Sequence, residues 1–157
     1  MCLYIKDKVK YSFSGVPVLP KTKVAKKDIV CYKILTERRG LILSFYRTPF
    51  TSNPITLGDY VEAKGDKDIV NILPTDGYNC EVSEGFIHTF KYRKDAVRIA
   101  TNECRDGYYI DNPVIVKCII PKGTRYYAGV FENTFLPSYA TEALQYGTKV
   151  DSVERKY

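Results

Sequence analysis

From Asp28 onward the pattern of hydrophobic and polar positions is that of a sheet, in short apolar runs bounded by turn residues. Ile29-Val30-Cys31-Tyr32-Lys33-Ile34-Leu35 is rich in β-branched and aromatic residues and predicts a strand. Glu37-Arg38-Arg39-Gly40 reads as a turn, and Leu41 to Arg47 as the partner strand. After a loop over 48–56, Leu57 to Ala63 predicts a short third strand. Pro74, Asp76-Gly77 and Asn79 make the stretch from Asp66 to Cys80 read mostly as loop. Gly85 to Phe90 is a brief strand leading into a helix, in which Ala96, Val97, Ala100 and Cys104 recur at helical spacing. The apolar run from Val114 to Ile120 enters a Pro121-Lys122-Gly123 turn and returns through a basic, aromatic segment, which predicts a hairpin. Pro137-Ser138 resembles a helix entrance with Ser138 as N-cap, and Gly147 its exit. These elements predict an α+β fold: an antiparallel or mixed β-sheet with two short helices.

The 157 residues fit one domain, with a β-rich core over 28–150. Residues 1–27 read as a basic, partly extended N-terminal segment, because two prolines around Val16 to Pro20 oppose a helix or a central strand. A hydrophobic fraction of 45% with 27% charged residues is that of a folded chain.

Charge changes this picture in one place. The net charge is +6, yet the first 40 residues hold ten Lys or Arg against three acids, so the excess lies there, notably at Lys21, Lys23, Lys26 and Lys27. No helix-turn-helix, zinc-finger or ribonucleoprotein-type motif accompanies it, so nucleic acid is not the expected partner. The five cysteines form no Cys-x-x-Cys pair and His88 is the single histidine, which argues against a structural metal. Unpaired thiols and the lack of a long apolar run point to a cytoplasmic protein with no membrane partner.

The candidate chemistry centres on the Pro-Lys-Gly turn, whose Lys122 and Arg125 suit an anion. Strand alternation puts Arg125 and Tyr127 on one face, as a cation beside a stacking ring, and leaves Tyr126 for the core. His88 is the one side chain that titrates near neutrality without perturbation, although no partner for general-base work is identifiable. Arg47 ends a predicted strand, where a guanidinium can clamp phosphate. The chain has no Gly-x-Ser-x-Gly elbow, P-loop or dinucleotide fingerprint, so no catalytic residue and no cofactor is assigned.

Phe45-Tyr46-Arg47, Gly85-Phe86-Ile87-His88-Thr89 and Ile120-Pro121-Lys122-Gly123-Thr124 resemble segments of the ADP-ribosyltransferase-like superfamily, over about a fifth of the chain. That resemblance implies a split-sheet or half-barrel arrangement, with Arg47 and His88 holding a nicotinamide dinucleotide. Glu132 and Glu142 are its candidates for the superfamily's third-motif glutamate. The wider pattern, a Cys-Tyr-Lys strand, Gly-Phe-x-His-x-Phe before the helix and Ile-Pro-x-Gly-Thr, is similar to uncharacterised proteins of bacterial and bacteriophage genomes. For a phage-encoded chain it implies action in the host cytoplasm.

The leading expectation is non-catalytic binding of a phosphorylated nucleotide or similar small anion by Arg47, His88, Lys122, Arg125 and Tyr127, such as a phage sponge for a host immune signalling nucleotide. A homo-oligomer with the pocket between subunits fits this expectation. The alternatives are an ADP-ribosyltransferase-like enzyme, and an adaptor whose N-terminal lysines approach nucleic acid or an acidic protein.

Overall fold

A computed structural model describes residues 3–5, 10–11, 13–15, 17–18, 21–43, 54–63, 69–73, 79–82, 86–101, 112–131 and 134–153. In chain order the strands are β1 (Leu3–Ile5), β2 (Lys10–Tyr11), β3 (Pro17–Val18), β4 (Lys23–Val24), β5 (Ile29–Arg38), β6 (Leu41–Leu43), β7 (Tyr60–Glu62), β8 (Ile69–Leu73), β9 (Asn79–Val82) and β10 (Ile87–Phe90). Helix α1 (Arg93–Ala100) follows, then β11 (Pro113–Ile120), β12 (Arg125–Phe131), β13 (Pro137–Thr141) and β14 (Ala143–Ser152). Twelve strands form one sheet in the order β7-β14-β11-β5-β10-β13-β12-β1-β9-β8, with β4 beside β12 and β6 beside β5. Every pairing in it is antiparallel.

The central strand β5 contains the segment expected to be a strand. Tyr32 and Ile34 face one side, and Cys31 and Leu35 the other. It ends later than expected, at Arg38, because Arg39 and Gly40 alone make the turn to β6. Both have positive φ, 51° and 78°, the backbone of the tight turn that matches strand twist.

Two apolar layers cover the sheet. On one face Ile34, Phe90, Ile115 and Phe131 pack under Ala96, Ile99 and Ala100 of α1. On the other, Cys31, Leu35, Val114, Val116, Cys118 and Ile120 meet Leu144, Tyr146 and Ala25.

Three expectations are corrected. The segment read as a second helix is β13 and β14, so α1 is the one helix among the described residues. Ser138 caps nothing: its hydroxyl donates to the Leu136 carbonyl at 3.1 Å. Ladders on both sides of 137–152 outweigh the helix preference of Ala140 to Gln145. The stretch read as loop contains β8 and β9. The Pro121-Lys122-Gly123 turn joins no hairpin, since β11 pairs with β5 and β14 while β12 pairs with β13, β1 and β4. The basic N-terminal segment 1–27 contributes β1, which lies between β12 and β9, and β4.

Connectivity forces the sheet to curl. Strands β13 and β14 are joined by Glu142 alone, yet stand four places apart in the strand order. Four strand spacings in a flat sheet are about 19 Å, whereas one intervening residue spans about 7 Å. The turn 121–124 imposes the same constraint on β11 and β12. Both short links therefore lie where the two arms of the curled sheet approach each other.

Candidate functional site

The turn at this seam is built by its sequence. The Thr124 amide donates to the Pro121 carbonyl at 3.1 Å. Gly123 has φ 89°, as the third position of a type II turn requires. The turn is fastened by Gly123 N–H to the Ala25 carbonyl at 2.8 Å and by Ala25 N–H to the Thr124 carbonyl at 2.9 Å. The Lys122 amide donates to Asp28 Oδ1 at 2.9 Å. These bonds hold the backbone and leave the Lys122 side chain exposed.

Beside the turn lies an open cavity of about 420 Å³, lined by Lys122, Arg125, Tyr60, Glu62 and Glu142 together with the turn backbone and Ala143. The Glu142 amide donates to the Arg125 carbonyl at 3.0 Å, and its own carbonyl accepts from Ala63 N–H at 2.7 Å, so the one-residue link is pinned to both arms. The register Ala143 opposite Glu62 and Gln145 opposite Tyr60 carries β7 to the same place. The Tyr60 hydroxyl donates to Glu62 Oε1 at 3.2 Å, which raises the phenol pKa after the effect of desolvation. Two cations and two carboxylates therefore share one cavity. Among the described residues no ion pair joins them; the ion pairs that form lie elsewhere, Arg93 with Asp151 and Lys149 with Glu37. The first of these holds the Asp151 carboxyl below the usual range through the Arg93 hydrogen bond.

Of the residues singled out from sequence, Lys122 and Arg125 come together here. Tyr127 shares their strand but not the cavity: it is buried, with its ring edge-on to Phe86 at 5.5 Å. Its ring is thus packed in the interior against Phe86 and not presented to the cavity. His88 is buried, opposite Ala140, and does not line the cavity. Arg47 and Glu132 lie outside the described residues. Tyr60 and Glu62 were missed, and the signal for them was weak: a three-residue strand, Tyr-Val-Glu, with its middle residue turned inward.

A second polar group lies inside the curl. Strand β10 forms one ladder pair with β5, Phe90 with Tyr32, and then diverges. Where they part, Lys33 Nζ donates to the His88 carbonyl at 2.9 Å. Desolvation lowers the Lys33 pKa. Burial pushes Cys31 up to about 12, with the Thr89 hydroxyl pulling the other way, and Cys118 up to about 11, which makes both thiols poor nucleophiles. Because Lys33 is harder to protonate in the fold than in the unfolded chain, its protonation destabilises the fold below the folded pKa. This effect is relieved as pH rises towards the unfolded value of about 10.4. Wild-type stability should therefore rise relative to Lys33→Met between pH 7 and 9.5 in denaturant titrations; a constant difference would contradict it.

No family model matches the chain, nor does any curated protein or solved structure.

Proposed function

We propose that the seam cavity binds a small phosphorylated nucleotide and releases it unchanged. The observation that carries this reading is the pair Lys122 and Arg125, which line one cavity without an ion pair to the carboxylates beside them. Cations left uncommitted in a concave site suit phosphate, and a guanidinium can grip it through two hydrogen bonds. Glu62 and Glu142 accept hydrogen bonds but cannot donate them, so they suit the hydroxyl or amino end of the ligand. Tyr60, 53% exposed, takes the place expected of Tyr127 as a ring for the base. Holding a ligand without turnover suits a protein that sequesters a signalling nucleotide.

Calorimetry against a panel of mono- and dinucleotides tests it. Arg125→Ala and Lys122→Ala should each weaken binding roughly 10- to 100-fold, the range for a charge-assisted hydrogen bond, and the ligand should be recovered intact. Unchanged affinity in both variants would remove the reading. Glu142 in the same cavity favours a second reading, an ADP-ribosyltransferase-like enzyme. Release of nicotinamide from a nicotinamide dinucleotide, lost in Glu142→Gln, would select that reading instead.

A further inference from the structure

Next to the seam, three segments distant in sequence bring lysines to one rim. Lys26 and Lys27, both exposed, link β4 to β5. The Asp28–Lys122 hydrogen bond draws the turn beside them. On the other side of β5, Phe90 pairs with Tyr32, which brings the start of α1 to the end of β5 that Lys26 and Lys27 precede. Lys91 and Lys94 flank Tyr92, each ammonium 5.4 Å from the ring centroid. The neighbouring Arg93 is committed to Asp151 through Nε at 2.5 Å and a terminal nitrogen at 2.8 Å. None of the four lysines is in an ion pair among the described residues, and the rim's acid, Asp28, is held by the Lys122 amide.

The rim is more than a solvated lysine face. Tyr92 is 43% exposed, and Val30, near the same end of β5, is also 43% exposed, which adds apolar ground amid the charge. At 5.4 Å both ammonium groups lie within cation–π reach of the ring, so a base meeting Tyr92 would lie beside two cations. Lysines alone would serve any acidic partner; a ring set between them matches alternating phosphates and bases.

We propose that this rim is a binding surface for single-stranded nucleic acid, with Tyr92 stacking a base and Lys26, Lys27, Lys91 and Lys94 meeting the backbone. It is separate from the nucleotide reading of the cavity, because none of these five residues lines that cavity.

The test is fluorescence anisotropy with labelled 20-residue oligo-dT and oligo-U at 50 and 200 mM salt. Binding should weaken with salt. The Lys26→Ala/Lys27→Ala and Lys91→Ala/Lys94→Ala pairs should each flatten the log–log salt slope by about 1.4, at about 0.7 per phosphate contact. Tyr92→Ala should weaken binding roughly tenfold with the slope unchanged, while Tyr92→Phe behaves as wild type. All five side chains belong to exposed residues, so the variants should keep the wild-type unfolding temperature. The proposal is overturned by no binding at 50 mM salt, by Tyr92→Ala binding as wild type, or by polyglutamate competing as well as oligo-dT, which would mark an acidic protein as the partner.

Discussion

Phe90→Ala should destabilise the protein by about 3–5 kcal/mol, the cost of removing a buried aromatic ring and leaving a cavity. Phe90 is 1% exposed and packs on Phe131 with ring centroids 5.3 Å apart. Its backbone makes the one ladder pair between β10 and β5, so packing, more than the ladder, holds those strands together. Helix α1 begins three residues later and buries Ala96, Ile99 and Ala100 in the same cluster. Loss of the ring should therefore loosen α1 ahead of the β5–β11–β14 ladder. Denaturant unfolding measures the total. Hydrogen exchange should show protection falling first in α1; a uniform loss, or a change below 1 kcal/mol, would contradict this account.

Gly147→Ala carries the second large expected effect. Between Val116, opposite Lys149, and Cys118, opposite Tyr146, strand β14 has one residue too many, so Gly147 and Thr148 together oppose Lys117. At this bulge β14 comes so close to β11 that a methyl group on Gly147 would overlap the Lys117 carbonyl oxygen. The obstacle is backbone, which cannot swing aside as a flexible side chain can. Forced separation should cost about 1–3 kcal/mol or more, and Gly147→Val more than Gly147→Ala. Thermal unfolding of the two variants checks the order. Alanine tolerated at wild-type stability would mean that the bulge relaxes without cost.

The long strands and the helix were legible because their patterns are local. The β-branched and aromatic run from Ile29 to Leu35 marks β5, and the spacing of Ala96 and Ala100 gives the buried side of α1. The second helix was misread because Ala140 to Gln145 are good helix formers, and only ladders with strands distant in sequence make that segment extended. The same non-local pairing hid the nature of the 121–124 turn: Pro-Lys-Gly specifies a bend, but not which strands it separates. In the cavity, Lys122 and Arg125 were visible because a single turn carries them. Tyr60 and Glu62 arrive by a ladder with β14 that no local signal announces. Alternation placed Arg125 and Tyr127 on a common side, yet two residues along a strand is far enough to leave solvent for the core.

The continuous run from Pro137 to Ser152, broken only at Glu142, completes both arms of the sheet. Until that ribbon is available, β11 and β10 each lack a neighbour, and Val114, Val116 and Leu35 lack the cover of Leu144 and Tyr146. Strands that precede it would thus keep apolar surface uncovered until it pairs, and closure is a step dominated by distant contacts. Slow folding relative to the stability of the finished sheet is the expected kinetic consequence of that single link.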